Sequence, residues 1–447
     1  EGPRYTSYPT ALQFSERFTA GDWITALQDS NRLPIPADLS VYVHVPFCSS
    51  PCFYCGCNRV ITRSPVVGQQ FLVQLEQEVE RVACHIDSDR MVRQVHLGGG
   101  TPTFLNRFQL DGLIKLLRKH FNFAEPAEIG LEVDPRTITP EDIRALTETG
   151  FNRISIGIQD LNPEVQKAVN RIHDADQVWA IIDASRSAGF ESISVDLIYG
   201  LPLQTTMAFA DTVEQVIEMR PGRISLFNYA HMPSKFKAQQ RIKQEELPPS
   251  AAKLAIFRNT LNRLLDAGYE WIGMDHFALP DDALAIARKN GSLVRNFQGY
   301  STNGGLDLIG FGPSAISQVG DSFAQNHRAL AAWQRSLDVD PLPTARGLQQ
   351  TPEDELRASI ISEILCRGSL RWCEYELEYG IVFSHYFEAE IKKLRMLADD
   401  GLIAWIDGGF QATAAGLLFV RAIAMVFDQY LPKQPATGAA KQFSRIV

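Results

Sequence analysis

Between residues 39 and 227 the chain alternates short β-rich runs with helical patterns, six strands in all, and this alternation restricts the fold more than any other feature. Strands separated by helices run parallel, because each crossover helix returns the chain to the same end of the sheet. The β-rich runs fall at 39–45, 94–97, 128–133, 153–158, 192–198 and 223–227, and helical spacing appears at 69–82, 107–121, 140–149, 174–188 and 207–219. Thr139-Pro140-Glu141-Asp142 shows how one helix starts: a hydroxyl cap, a proline where no N–H is needed, and acids at the positive end of the helix dipole. Six βα units predict an α/β fold, a partial (β/α) TIM-like barrel.

Polar and glycine residues gather where each predicted strand ends. They are the cysteine loop after the first, Gly98 to Thr101 after the second, Glu132 and Asp134 at the third, Gln159 and Asp160 at the fourth, Asp196 and Tyr199 at the fifth, and Asn228, Tyr229 and His231 at the sixth. In a barrel such ends converge on one mouth, the usual place for an active site. Any one of them alone is equally well an ordinary helix cap.

The cysteine loop carries the sharpest chemistry. Cys48, Cys52 and Cys55 stand at C-x3-C-x2-C spacing. Three thiolates can hold three irons of a [4Fe-4S] cluster and leave the fourth open to a small ligand. A zinc knot is the bland alternative, but no second Cys/His pair at knuckle spacing follows. Spacing leaves open a four-cysteine cluster that includes Cys57, since residues two apart in an extended segment share a face. Seven cysteines, four of them crowded into ten residues, argue for metal ligation in a reducing cytosol rather than for disulfides. With Tyr54 just before the third cysteine and the turn Gly98-Gly99-Gly100-Thr101-Pro102-Thr103, the loop resembles that of a radical S-adenosylmethionine (SAM) enzyme.

Composition narrows the partners. A chain of 447 residues, 45% hydrophobic, can bury two domains. No apolar run or leader pattern is long enough to direct it to a membrane, so a cytoplasmic protein is expected. The chain starts at Glu1 without a Met, so part of the natural N-terminus is expected to be missing. A net charge of -9 leaves no electrostatic footprint for nucleic acid. An anionic substrate then needs a local basic patch, and Lys235, Lys237, Arg241 and Lys243 form one in a stretch without acids; a solvated helix face is the alternative.

The boundaries expected are an N-terminal segment 1–38 near the active site, a catalytic barrel 39–335 with extensions, a linker 336–351, and a mainly helical, winged-helix-like C-terminal domain 352–447. Asp338, Asp340, Pro341, Pro343 and Gly347 suggest the linker. In 384–429 six acidic residues outnumber four basic ones, which favours a packing or lid role over DNA binding.

Seven stretches together resemble the oxygen-independent coproporphyrinogen III oxidase (dehydrogenase) family: residues 3–10 (Pro-Arg-Tyr-Thr-Ser-Tyr-Pro-Thr), 48–58, 98–103, 132–136, 196–202, 274–277 and 296–300. The first, the last and the Cys57-Asn58 extension resemble the true oxidases rather than haem-chaperone relatives. This resemblance implies decarboxylation of the ring A and B propionates of coproporphyrinogen III to vinyl groups, giving protoporphyrinogen IX by way of a 5'-deoxyadenosyl radical from SAM. It implies that Cys48, Cys52 and Cys55 ligate the [4Fe-4S] cluster and that two SAM molecules bind. Tyr42, Gly99, Glu132 and Ile316 would contact the first SAM, and Tyr54, Gly100, Thr101, Gln159, Arg171, Asp196 and Ala230 the second. Tyr42 and His44, which share a strand face, are the catalytic candidates, although a strand histidine is by default a satisfied core residue. Asp196, in an apolar strand, needs partners and suits a ligand or a structural ion pair. A reducing electron donor protein, a monomer, and no nucleic acid or membrane partner complete the expectation. A haem-chaperone-like binding protein and a radical SAM methyltransferase acting on a tetrapyrrole are the alternatives.

Overall fold

The computed structural model describes residues 2–431, which divide into two compact units. The larger comprises 14–269 and 305–349; the smaller comprises 2–13, 270–304 and 350–431. Residues 432–447 of the expected C-terminal domain lie outside the described residues.

In the larger unit, strands β1 (Leu39–Val45), β2 (Val92–Gly99), β3 (Phe123–Val133), β4 (Arg153–Gln159), β5 (Ser192–Tyr199) and β6 (Arg223–Asn228) lie side by side in chain order, all parallel. β7 (Asp307–Phe311) adds a parallel neighbour on the other flank of β1. β8 (Ile316–Val319), β9 (Ser322–Asn326) and β10 (Thr344–Gln349) continue antiparallel. Such strands need both faces covered, which is why they read as nearly unbroken apolar runs. Val41, Val43 and Val45 on one face of β1 are fully buried, while Tyr42 and His44 occupy the other.

The crossover helices include α1 (Val66–Ala83), α2 (Arg107–His120), α3 (Pro140–Thr149), α4 (Pro163–Ala168), α5 (Ala175–Ser187) and α6 (Thr206–Met219). α2 buries Leu110, Leu113, Ile114 and Leu117, the stripe expected at helical spacing. Each such side chain contributes roughly 1.5–3 kcal/mol on burial. α3 begins with the expected cap, Thr139 and Asp142 bonding reciprocally in a capping box.

The expected linker 336–351 is corrected. Leu330–Val339 is helical, and β10 pairs with β9 from Gln349↔Ser322 to Thr344↔Asn326. Gly347, read as a linker glycine, is small because a Cβ there would lie 2.2 Å from the Phe323 carbonyl and 2.4 Å from the Phe18 ring. Close packing and chain flexibility leave the same residue in a sequence.

Two other boundaries also shift. The expected N-terminal segment is divided, with residues 14–38 in the larger unit and 2–13 in the smaller. Tyr5 and Tyr8 are buried there among Ile360, Ile364, Phe383, Phe387 and Phe427. The Tyr5 hydroxyl donates to Asp428 Oδ2 (2.8 Å), and the Tyr8 hydroxyl accepts from the Gln429 amide (3.1 Å). Residues 270–304, expected within the barrel, join the same unit; Tyr300 is buried beside Ile272, Leu284 and Leu293 and donates to the Leu365 carbonyl (2.7 Å). The helix Glu388–Asp399 precedes an antiparallel hairpin of Ile403–Ile406 and Gly409–Ala412, with Ser369–Arg371 as third strand, which is the helix-then-wing order expected. Among the described residues no helix is long and apolar enough to cross a membrane.

Candidate active site

The carboxyl ends of β1 to β6 open onto a cavity of about 290 Å³. Cys48, Cys52, Cys55 and Cys57 line it, together with Tyr54, Gly99, Gly100, Thr101, Glu132, Gln159, Arg171 and Asp196. Strand order alone produces this convergence, because parallel strands place all their following loops at one end.

The cysteine loop is held from several sides. Residues 47–48 pair with 60–61, Asn170 Nδ2 donates to the Pro51 carbonyl (2.7 Å), and the Phe53 amide donates to the Val169 carbonyl (2.9 Å). Arg59 donates to the carbonyls of Cys52 and Cys55 (3.2 and 3.3 Å). Gln239, buried, donates to the Tyr54 carbonyl (2.8 Å), and Phe236 lies beneath Gly56. Arg241 covers the Phe53 ring at 5.1 Å. Part of the basic stretch is therefore a brace for this loop.

The glycine turn brings backbone against the loop. Gly99 has φ +109°, and a Cβ on it would strike the His44 ring at 2.5 Å. A Cβ on Gly100 would lie 2.7 Å from the Phe47 carbonyl. The amides of Gly100 and Thr101 donate to the Val45 and Phe47 carbonyls (both 2.8 Å), and the Thr101 hydroxyl sits 3.4 Å from Cys48 Sγ.

Each ionisable group has a legible environment. Burial pushes the Cys48 thiol up to about 11, and the side-chain hydrogen bond from Cys57 holds Cys55 down at about 6. Burial works to raise Glu132, but His96 at 3.6 Å and the Gly99 amide at 3.2 Å outweigh it and hold the carboxyl below its ordinary value. Burial likewise opposes ionisation of Asp134, yet Arg171 and Arg136 keep it at about 2. Burial lowers the His44 pKa and so favours its neutral form. Its Nε2 lies 2.8 Å from the Asn58 carbonyl and so must carry the proton, leaving Nδ1 to accept from the Tyr42 hydroxyl at 3.1 Å. Both ring nitrogens are thus engaged, and the histidine orients Tyr42, whose ring stacks on His96 at 6.2 Å.

Tyr42, His44, Ala230 and Ile316 lie outside the cavity lining. The Ala230 carbonyl accepts from Gln239 (3.2 Å), and Ile316 pairs with Gln325 between β8 and β9. Arg59, Arg136 and Ser155 line the cavity and are site residues that sequence reasoning missed; Arg136 had a signal, standing just past a strand end in a cluster of charges.

Two observations test whether the residues fit the expected groups. Cys48, Cys52 and Cys55 line one cavity of about 290 Å³, which brings three sulfur donors to a single opening. Gln159 Oε1 is buried without a hydrogen-bond partner although Gln159 lines the cavity, an acceptor that a ligand N–H would satisfy. The residues fit a cluster with a nitrogen-bearing organic ligand beside it.

Residues 42–216 match the radical SAM superfamily and 350–419 the HemN C-terminal domain. Fold and site together are those of a radical SAM protein. Oxygen-independent coproporphyrinogen III oxidase of Pseudomonas aeruginosa is 45% identical over 448 residues, covering 100% of this chain and 96% of the relative. The protein of that name from Escherichia coli is 45% identical over 446 residues, with the same coverage. The solved structure of coproporphyrinogen III oxidase (HemN) from Escherichia coli, described as a radical SAM enzyme, superposes with a TM-score of 0.92 over 96% of this chain and 98% of that one. The chain belongs to the family of oxygen-independent coproporphyrinogen III oxidases.

Proposed function

We propose that this chain converts the ring A and B propionates of coproporphyrinogen III to vinyl groups, giving protoporphyrinogen IX without oxygen, as a step of porphyrin and haem formation. The observation that carries the reading is the meeting of Cys48, Cys52 and Cys55, a glycine turn and the carboxylates of Glu132 and Asp196 in one cavity of a chain 45% identical over its length to oxidases of that name. Cys48, Cys52 and Cys55 would hold a [4Fe-4S] cluster, with Cys57 outside the ligand set. When bound, the cluster supplies an electron and SAM the 5'-deoxyadenosyl radical that removes a hydrogen from a propionate. For each propionate one hydrogen atom, one further electron and carbon dioxide leave, the electron passing to an external acceptor.

The chain's own residues bind, orient and exclude water. Glu132 and Asp196, carboxylates at strand ends, accept hydrogen bonds from an amino group or ribose hydroxyls, and Arg171 faces a carboxylate. Gly99, Gly100 and Thr101 admit a ligand close to backbone. Tyr42 is set in place by His44 and His96, and Ile316 and Ala230 complete the contacts. The reading includes two SAM molecules, with Tyr54 and Gln159 serving the second, a reducing protein as electron donor, and a cytoplasmic monomer with neither nucleic acid nor membrane as partner.

Anaerobic incubation of the cluster-loaded protein with SAM, a reductant and coproporphyrinogen III tests the proposal. Chromatography should show protoporphyrinogen IX after oxidation to the porphyrin. Unchanged or methylated tetrapyrrole would overturn it.

A further inference from the structure

Cys52 stands apart from the other cysteines in what surrounds its sulfur. Arg136 Nη2 lies 3.4 Å and Arg171 Nη1 3.5 Å from Cys52 Sγ. Asp134 joins the two guanidiniums, its Oδ2 accepting from Arg136 Nη2 (2.6 Å) and from Arg171 Nη1 (2.9 Å). Both arginines make further hydrogen bonds. Arg171 spends Nε and Nη2 on the Gly157 carbonyl (3.2 and 2.5 Å), and Arg136 Nη1 donates to the Asn170 carbonyl (3.3 Å). Asp134 and Arg171 are buried, at 6% and 7% exposure. Two positive charges and one negative leave a fixed surplus of one positive charge against this sulfur.

Such an array exceeds what holding the loop requires, since Arg59, Asn170 and Gln239 already brace it through backbone carbonyls. N–H donors aimed at a metal-bound thiolate favour the more negative state of the centre. We propose that Asp134 and Arg136, with Arg171, set the reduction potential of the bound cluster through the Cys52 sulfur, with Asp134 limiting the shift that the two arginines would otherwise impose. The inference rests on Cys52 being a cluster ligand. Reduction here is the transfer of one electron from an added donor, dithionite in the test, with no bond broken and no proton moved by these residues. Asp134 and Arg136 are then positioning residues that act through Cys52 rather than on substrate.

Opposite charge changes in one array must move the potential in opposite directions, which a structural brace does not do. The test is a potentiometric titration of the cluster-loaded protein, read by electron paramagnetic resonance, with iron counted in each variant. Arg136→Gln should shift the midpoint to more negative potential by about 59 mV, tenfold in the one-electron equilibrium. Asp134→Asn should shift it the other way, and Arg32→Gln, on an exposed side chain paired with Asp29 at 2.7 Å, should leave it in place. If Arg136→Gln fails to assemble a cluster, the sign of the shift in Asp134→Asn decides. Unmoved potentials, shifts of the same sign, or loss of the cluster from both variants would overturn the proposal. Cys52→Ala is prepared alongside: a full cluster in that variant would remove the ligand assignment itself, which is a different failure from unmoved potentials.

Discussion

The four crowded cysteines differ in their neighbours. Cys52 is buried between two guanidiniums, Cys48 is half-buried beside Thr101, and Cys55 is half-buried and accepts from the Cys57 amide at 3.4 Å. Cys57 is exposed. Replacing Cys48, Cys52 or Cys55 with Ala should abolish the cluster, and Cys57→Ala should keep it assembled. Iron counting and the electron paramagnetic resonance signal of the reduced variants check this; loss of iron in Cys57→Ala would indicate four-cysteine ligation.

At the scale of elements, the site depends on a clamp behind it. Glu78 of α1 is buried and accepts from the Gly312 amide (2.9 Å), Asn326 Nδ2 (2.6 Å) and Trp333 Nε1 (3.0 Å), tying α1 to the segments on either side of β8 and β9. Burial, opposed by those donors, pushes its carboxyl up to about 7. A folded pKa above the unfolded value means that the folded state binds more protons. Its stabilising contribution is then complete below about pH 4.5 and is lost as pH rises to about 7. Each unit of pKa shift is worth about 1.4 kcal/mol, so Glu78→Gln should remove a fall of about 3–4 kcal/mol over that window. The measurement is the difference between wild-type and variant unfolding free energies from pH 4 to 8; parallel curves would remove the role.

The basic stretch divides in two at the same scale. Arg241 lies on the Phe53 ring and Lys243 pairs with Glu246 at 2.7 Å. Lys235 and Lys237 are exposed and remain the candidates for substrate carboxylates. Lys235→Glu with Lys237→Glu should weaken porphyrinogen binding about tenfold or more, with SAM binding and iron content unchanged. A solvated face would change the affinity by no more than about 0.5 kcal/mol, and equilibrium titration separates the two.

For the whole molecule, the first residues belong to the packing of the smaller unit. Tyr5 is 4% exposed and its hydroxyl is bound to Asp428. Tyr5→Ala should destabilise that unit by about 3–5 kcal/mol, as expected for an emptied aromatic site. Tyr5→Phe keeps the ring and should cost about 1 kcal/mol, the net worth of one hydrogen bond. Denaturant unfolding of both variants gives the comparison; equal, small losses would mean that the stretch is only laid on the surface.

The alternation of β-rich and helical runs made a parallel sheet of six βα units legible, because periodicities of two and about 3.6 residues are local properties of the chain, while the side-by-side order of the strands belongs to the tertiary structure. The strand ends and the C-x3-C-x2-C spacing likewise placed Cys48, Glu132, Gln159 and Asp196 at one mouth before any coordinates were needed. Tertiary structure alone decided that Arg136 and Arg171 meet at Cys52 Sγ, across 84 and 119 residues of chain. It decided also that Tyr5 packs with Phe427 and that 344–349 is a strand. Those outcomes depend on which distant surfaces close on each other. A glycine that lets backbones touch and a glycine in a turn are written with the same letter, and only the neighbours that the fold brings to it tell them apart.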